Sequence, residues 1–300
     1  MSQPVARKRW QIVDGVLLLD KPGGLSSNDA LQKARRLFSA AKAGHTGTLD
    51  PMATGLLPLC FGEATKFSNR LLDADKTYLA TMLLGVSTST GDAEGEIIRQ
   101  APVMAEPAAI HAVCAGFLGE IEQVPPMYSA LKHQGKALYE YARQGVEIAR
   151  EARRVTIYAL EVKRISGAEV DILVRCSKGT YIRTLAEDIG NALGCGAHLT
   201  ALRRTAIGPL TLEGAFTLDA LNELPEDARG PLLAPVDSLL GNLPAVQLDA
   251  AQTASFLHGQ AVPQMLETGE YRIYGETFVG LGRADGEGLL QPVRLIASRT

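Results

Sequence analysis

The chain has 300 residues, 46% of them hydrophobic and 21% charged, and a formal net charge of −3 at pH 7. This length allows one large or two modest domains with a sizeable core. The early apolar run at 16–19 is far below the roughly 20 residues that span a bilayer, and it is too short for a signal peptide, so a cytoplasmic protein without membrane contact is expected. The cysteines show no C-x-x-C spacing, which indicates neither a zinc site nor a disulfide framework.

The predicted elements mix strands and helices. Residues 1–10 are predicted as a loose basic tail, and 15–20 as a strand that ends in the Pro-Gly turn at 21–24. Ser26, with Asp29 three residues later, resembles a capping box and predicts the start of a helix. The following segments are predicted in turn: a strand at 55–61, a helix at 64–72, a strand at 76–88 with an acidic loop at 88–95, a helix at 107–117, a strand or hairpin arm at 127–135, a short helix at 136–145, strands at 153–165 and 168–177, a helix at 179–194 and a strand at 197–210.

The order of these elements lacks regular β-α alternation. It favours an α+β fold with a mixed, mostly antiparallel central sheet and flanking helices. The Pro-, Gly- and acid-rich stretch at 223–244 is predicted as a linker, and short strands with Gly turns at 271–298 predict a small C-terminal β-barrel-like domain. The predicted domains are therefore 1–241 and 242–300.

Basic residues are clustered although the net charge is small. The clusters are Arg7–Arg9, then Arg150 with Arg153 and Arg154, then Lys178 and Arg183 around Tyr181, and finally Arg203 with Arg204. For any single cluster a solvated surface is the commoner explanation. Several clusters beside Gly-rich turns and aromatic residues favour, modestly, a polyanionic ligand.

The stretch GHTGTLDPMATG places one carboxylate, Asp50, between a Gly-rich loop and an apolar strand. An isolated Asp-Pro pair more often starts a turn or caps a helix than it catalyses. Here Gly44 and Gly47 allow a ligand to approach the backbone, and Pro51 stiffens the chain after the carboxylate. A lone carboxylate in such a place needs a cation, and the planar fork of Arg183 suits a bidentate grip.

Other chemistries have less support. The sequence contains no G-x-S-x-G, H-E-x-x-H, phosphate-loop or G-x-G-x-x-G signature, and its five histidines are scattered. Neither a metal site nor a cofactor is predicted. The absence of a carboxylate pair argues against ordinary glycoside hydrolysis.

Five blocks of the sequence, in order and spacing, resemble the TruB-type tRNA pseudouridine synthases. The blocks are GVLLLDKPGGLSSNDAL, GHTGTLDPMATGLLPLCFGEATKF, DKTYLATMLLGVSTSTGDAEG, PPMYSALKHQGKALYEYARQG and CSKGTYIRTLAEDIGNALGCGAHLTALRRTAIG. The resemblance implies the pseudouridine synthase fold with a C-terminal PUA-like domain. It also implies an isomerase that flips out the uridine at position 55 in the T-loop of tRNA, detaches the base and rejoins it through carbon, without metal or cofactor.

The resemblance also implies roles for individual residues. Asp50 falls on the catalytic aspartate, which either attacks the sugar or removes a sugar proton. Arg183 falls on its arginine partner, and Tyr78 on the tyrosine that stacks on the uracil and lies beside the chemistry. Substrate contacts fall on His45, which helps to hold the loop open, Tyr181, which contacts the base, Leu202, which forms an apolar wall, Lys21 in the turn near the site, and Asp92 in the acidic loop at the RNA entrance.

Simpler explanations exist for several of these positions. Without the resemblance, Tyr78 would be taken as a half-buried strand aromatic, Leu202 as core, and His45 and Lys21 as surface residues. The expected partner is the T-arm of tRNA, with the protein acting as a monomer and no obligatory protein partner. Two alternatives remain open: a non-catalytic RNA-binding protein on this scaffold, and a nucleoside glycosylase that releases free base.

Overall fold

The structure, a computed structural model, describes residues 10–297. The predicted basic tail, with its cluster at 7–9, lies outside the described residues except for Trp10. The strands are β1 (Gly15–Lys21), β2 (Ala43–His45), β3 (Thr54–Phe61), β4 (Lys76–Leu84), β5 (Val86–Thr88), β6 (Ile97–Gln100), β7 (Gly119–Gln123), β8 (Lys132–His133), β9 (Lys136–Ala137), β10 (Arg153–Ser166), β11 (Glu169–Cys176), β12 (Ala197–Ile207), β13 (Leu210–Thr211), β14 (Ala245–Gln247), β15 (Val262–Pro263), β16 (Gly269–Tyr274), β17 (Phe278–Ala284) and β18 (Leu289–Leu295).

Helices flank these strands. The α-helices are α1 (Ser27–Leu37), α2 (Asn69–Leu72), α3 (Pro107–Ala115), α4 (Leu138–Ala142), α5 (Ile182–Ala192), α6 (Leu218–Glu223), α7 (Glu226–Arg229) and α8 (Ala250–Leu257). Short 3-10 helices span Gly62–Lys66, Gly230–Leu232 and Val236–Leu240. Within residues 10–297, no helix is long and apolar enough to cross a membrane.

The central sheet confirms the predicted α+β class. Its order is β1-β3-β12-β4-β11-β10-β7, with β2 paired to β3 and β13 to β12. The strands pair antiparallel except β12 with β3, which run parallel. The parallel pair approaches closely because Gly55 has no side chain and a positive φ: a Cβ there would lie 2.2 Å from the carbonyl oxygen of Arg204.

Alternation along β4 decides which side chains face the site. Ala80, Met82 and Leu84 are buried in the main core together with the apolar side of α5, whereas Leu79 points to the opposite face and is exposed. Tyr78 therefore lies on the α5 side of the sheet, at the end of the core. The predicted cap of α1 is confirmed, since the Ser26 hydroxyl accepts a hydrogen bond from the Asp29 amide.

Three local predictions were wrong. The predicted helix at 64–72 is split into a 3-10 turn and α2, because the hydroxyls of Thr65 and Ser68 each donate to the carbonyl three residues earlier and so compete with the helix ladder. The predicted strand arm at 127–135 reduces to the two-residue pair of β8 with β9. The strand predicted at 76–88 breaks at Gly85, which has φ +85°, before β5 begins.

The stretch at 223–244 is not a loose linker. Ala234 pairs with Val16 of β1, and Leu239 and Leu240 are buried in a second core cluster. Arg229 donates to three backbone carbonyls, those of Leu37, Leu221 and Leu224. Its Pro and Gly residues interrupt regular helix, but its apolar residues still bury against the sheet.

The C-terminal strands form a separate curled sheet, in the order β14-β16-β17-β18-β15. This confirms the small C-terminal β structure. The sheet has its own core, which includes Phe256, Ile273 and Leu290. Phe278 packs edge-on against Phe67 in the second core cluster, so this sheet packs against the face of the central sheet that this cluster covers.

Candidate active site

Asp50 lies in the loop between β2 and β3, where its carboxylate meets Arg183. Arg183 Nε lies 3.0 Å from Asp50 Oδ2, and the two side chains are 5% and 34% exposed, respectively. The predicted pairing is therefore present, but not the predicted bidentate grip. The rest of the guanidinium is used elsewhere: Nη1 lies 3.4 Å from Asp92 Oδ2 and donates to the Thr90 carbonyl at 2.9 Å, and Nη2 donates to the Tyr128 carbonyl at 2.7 Å.

Asp92 is a second buried carboxylate beside the same arginine. Its residue is 2% exposed, and its side chain accepts hydrogen bonds from the Thr90 hydroxyl and the Glu94 amide. The hairpin of β5 and β6 folds this turn inwards, where the Gly91 carbonyl accepts from the Leu199 amide of β12. That Asp92 shapes the RNA entrance stays a prediction. One cation thus serves two carboxylates.

This sharing affects the acidity of Asp50. Burial raises the pKa of Asp50 above its ordinary value, the charge of Arg183 opposes that rise, and the nearby charge of Asp92 adds to it. The net direction of the pKa is upwards. The carboxylate is thereby less strongly stabilised in its ionised form than a surface aspartate, and its charge depends on Arg183.

Lys21 is not the solvated turn residue that its sequence context would suggest. It is fully buried, and its Nζ donates to the carbonyls of Pro22 at 2.8 Å, Leu25 at 2.7 Å and Pro51 at 3.3 Å. Burial lowers the pKa of Lys21 to about 8, although the charges of Asp50 and Glu94 oppose this shift. Its bond to the Pro51 carbonyl anchors the chain directly after Asp50.

The start of α5 carries Tyr181 and Arg183 into the site. Gln123, at the end of the edge strand β7, binds both sides of Tyr181: it accepts from the Tyr181 amide at 3.0 Å and donates to the Tyr181 carbonyl at 3.3 Å. Sequence reasoning missed Gln123, because a lone glutamine in a strand carries no signal of this contact. The side-chain amide of Gln123 thus fixes the start of α5 to β7, at the edge of the sheet.

A cavity of about 220 Å³ lies between these elements. Of the predicted site residues, it brings together Asp50, Tyr78, Tyr181, Arg183 and Leu202. Its volume is below the roughly 300–1,000 Å³ of typical drug-sized sites, which fits a single small ring. A larger cleft of about 580 Å³ between α1 and α6 is lined by Lys21 but not by Asp50 or Tyr78.

His45, Lys21 and Asp92 do not line this cavity. His45 lies on β2, where its Nδ1 accepts from the Gly47 amide at 3.4 Å. Burial, followed by the charge of Arg204, lowers the pKa of His45. Instead, Lys21 and His45 bond to the loop that carries Asp50, and Asp92 pairs with Arg183. This loop and Arg183 form part of the cavity wall.

Arg204 was missed as a site residue and grouped with Arg203 as a surface cluster. Alternation on β12 separates the two: Arg203 pairs with Asp20 on one face, at 2.7 Å, while Arg204 lines the cavity on the other. Because Leu202 and Arg204 are two residues apart on one strand, predicting Leu202 as a pocket wall also implied Arg204. Of the other predicted basic residues, Arg150, Arg154 and Lys178 make surface ion pairs.

In the part of the chain that the structure describes, no group of three or more His, Cys, Asp or Glu side chains is placed to hold a metal ion. The ionisable groups that line the cavity are the Asp50 carboxylate, the Lys76 ammonium, the two buried guanidiniums and the Tyr78 and Tyr181 phenols.

Comparison with known proteins gives matches along nearly the whole chain. Residues 35–182 match the TruB family pseudouridylate synthase (N terminal domain), 183–241 the tRNA pseudouridylate synthase B C-terminal domain, and 244–296 pseudouridine synthase II TruB, C-terminal. A protein named tRNA pseudouridine synthase B from Burkholderia mallei is 59% identical over 305 residues, covering 98% of both chains. One of the same name from Aromatoleum aromaticum is 60% identical over 294 residues, covering 97% of this chain and 96% of that one.

A solved structure shares the fold. It is that of an H/ACA RNP bound to a substrate RNA containing 2′-deoxyuridine. The TM-score is 0.71 at 27% identity, and the match covers 96% of this chain and 86% of that chain.

Proposed function

The chain belongs to the TruB family of pseudouridylate synthases, and we propose that it acts on the uridine at position 55, in the T-loop of tRNA. Its class is that of its relatives, an isomerase that converts uridine in tRNA to pseudouridine. The observation that carries the proposal is the Asp50–Arg183 pair at 3.0 Å on one wall of a cavity whose other walls include Tyr78 and Leu202.

The size of the cavity supports a flipped-out base as the substrate. A base stacked in a folded loop cannot enter the cavity whose wall carries Asp50, so the nucleotide has to leave the stack. In the cavity, the ring of Tyr78 offers a face for the uracil, and such stacking contributes about 1–3 kcal/mol. Leu202 forms the apolar wall, and Tyr181 is the further base contact.

Asp50 is the essential group in this proposal. It either attacks the sugar carbon or removes a sugar proton, and both roles start from an ionised carboxylate, which the charge of Arg183 supports. The bond between the sugar and the base nitrogen breaks, the base rotates, and a bond forms between the sugar and carbon 5 of the base. Carbon 5 then gives up its proton as the nitrogen regains one, so the product has the mass of the substrate.

The remaining assignments surround this step. His45 helps to hold the RNA loop open, Lys21 anchors the Asp50 loop through the Pro51 carbonyl, and Asp92 shares Arg183 with Asp50. Residues 1–241 form the catalytic domain and 242–300 a PUA-like RNA-binding domain. The enzyme works in the cytoplasm as a monomer, without a cofactor or an obligatory protein partner.

The experiment is incubation with an unmodified tRNA transcript and with a matched transcript that carries cytidine at position 55. The expected result is a carbodiimide-reactive uridine at that position, with no change in RNA mass and no product from the control transcript. Release of free uracil would instead indicate a glycosylase. Unchanged RNA, bound tightly, would indicate a binding protein, and reaction at another uridine would overturn the proposed target.

A further inference from the structure

Arg204 is a buried cation that the proposed chemistry does not use. It is 1% exposed and lies on β12 at the wall of the cavity. Among residues 10–297, no carboxylate forms an ion pair with it, in contrast to Arg183. Burial lowers the pKa of Arg204, as expected for a guanidinium without a negative partner.

Three carbonyl groups hold the guanidinium in place. Arg204 Nε donates to Leu56 of β3 at 2.8 Å, Nη2 to Gly47 at 3.2 Å and Nη1 to Thr48 at 3.5 Å. Gly47 and Thr48 belong to the loop that carries Asp50. A guanidinium has five N–H groups and no acceptor, so these bonds fix its plane and leave N–H groups free to face another acceptor.

The phenol of Tyr78 is placed to be that acceptor. Tyr78 lies directly opposite Arg204 in the pairing of β4 with β12, on the same face of the sheet, and both side chains line the cavity. Because a guanidinium can only donate, a bond between the two makes the phenol oxygen the acceptor and turns the phenol's own O–H away from Arg204.

We propose that Arg204 is a positioning residue that acts through Tyr78: its guanidinium, locked by the three carbonyls, holds the phenol oxygen so that the O–H faces the base. This inference rests on the proposed function, because it gives the Tyr78 hydroxyl a place in the reaction. Burial raises the pKa of Tyr78, and the positive charge of Arg204 opposes that rise.

The chain offers a matched control for a purely structural role. Arg229 also donates to three carbonyls, of Leu37, Leu221 and Leu224, at 2.7–2.9 Å, but it lies outside the cavity and has no phenol partner. If Arg204 only ties chain segments together, Arg204→Lys and Arg229→Lys should behave alike. Lysine keeps the charge in both variants but cannot reproduce the planar fork.

The test compares these two variants with Tyr78→Phe and with the double variant Arg204→Lys/Tyr78→Phe. Single-turnover rates at saturating enzyme, tRNA affinities and thermal unfolding are measured for each. We expect Arg204→Lys to bind tRNA within about threefold of the unsubstituted protein and to react at least about tenfold more slowly. Arg229→Lys should keep the rate even if its unfolding temperature falls. In the Tyr78→Phe background, Arg204→Lys should slow the reaction by less than about threefold, because its target is already gone.

Several outcomes would overturn the inference. If the double variant loses a factor in rate equal to the product of the two single losses, Arg204 does not act through Tyr78. If Arg229→Lys loses as much rate as Arg204→Lys, the effect is structural. If Arg204→Lys does not fold, Arg204→Gln, which keeps an amide donor without the charge, replaces it in the same comparison. If the unsubstituted protein converts no uridine in tRNA, the proposed function fails instead, and that is measured first.

Discussion

The cavity and the C-terminal sheet differ in whether their charged side chains are buried or lie at the surface. In the cavity Arg183 and Arg204 are buried, and the first is shared between two carboxylates. On the C-terminal sheet, Glu270 takes Arg70 and Arg283 at the surface, at 2.6 and 2.9 Å. Burying a charge costs several kcal/mol unless partners offset it, whereas a surface pair contributes about 0–1 kcal/mol. The large cost is thus incurred at the proposed active site, and the Glu270 cluster of the C-terminal sheet avoids it.

The largest expected effect comes from removing the charge of Asp50. Asp50→Asn keeps the shape of the side chain, so we expect pseudouridine formation to become undetectable while tRNA affinity stays within about tenfold, or roughly 1.4 kcal/mol. Product analysis after long incubation and a binding titration measure the two quantities. Substantial turnover by this variant would remove Asp50 from the chemistry, and the contrast with the C-terminal sheet would lose its meaning.

A smaller but still large effect is expected at Tyr78. Tyr78→Phe keeps the ring face for the uracil and loses the hydroxyl, so it should bind tRNA almost normally and react at least about a hundredfold more slowly. Tyr78→Leu should be as slow and should also hold the flipped base less well, since it loses stacking. Single-turnover rates and affinities distinguish the two. If the Phe variant is as fast as the unsubstituted protein, Tyr78 is only a platform; if Leu is also as fast, it is a packing residue.

A higher salt concentration should weaken tRNA binding but should hardly affect the buried ion pairs. The positive residues that remain at the surface, such as Arg154 and Lys178, are predicted to contact phosphates, so tRNA affinity should fall by at least about tenfold between 50 and 200 mM salt. The single-turnover rate of the preformed complex should change little, because buried pairs are screened weakly. Affinity measured along a salt series tests this, and a flat response would mean that the basic clusters are not an RNA face.

The smallest effect is expected at the surface cluster of the C-terminal sheet. Glu270→Gln removes the carboxylate that Arg70 and Arg283 share, and we expect the free energy of unfolding to fall by less than about 1 kcal/mol. The rate of tRNA modification should stay within about twofold. Denaturant unfolding and the tRNA assay check both. A loss of several kcal/mol would show that this surface cluster holds the two sheets together.

The sequence was informative where structure is local. The Ser26 cap, the alternation of β10 and β11 and the apolar spacing of α5 act over a few residues, so the elements were predicted close to their observed bounds. The order of the central sheet was not predicted, because β12 pairs with strands made more than a hundred residues earlier, and no local pattern records such a choice.

The site shows the same division. Asp50 and Arg183 were predicted from the loop context and from the need of a lone carboxylate for a cation, and the resemblance of whole blocks added Tyr78. The structure brings the three together. The ion pair of Arg183 with a third residue, Asp92, was not predicted, because the burial of Asp92 depends on the fold of a hairpin against β12. The difference between Arg203 and Arg204 depends only on strand alternation and could have been predicted.

The place of β12 between β3 and β4 also sets when the molecule can begin to work. On the ribosome, β3 is complete after Phe61, but the strand that covers its free edge starts only at Ala197. At the ~5–20 residues per second of translation, that edge waits on the order of ten seconds, exposed to pairing with other chains. Asp50, in the loop before β3, and Tyr78, on β4, emerge early, and Arg204 arrives with β12, which pairs with both of these strands. The cavity that these residues line is therefore incomplete until β12 is inserted between β3 and β4.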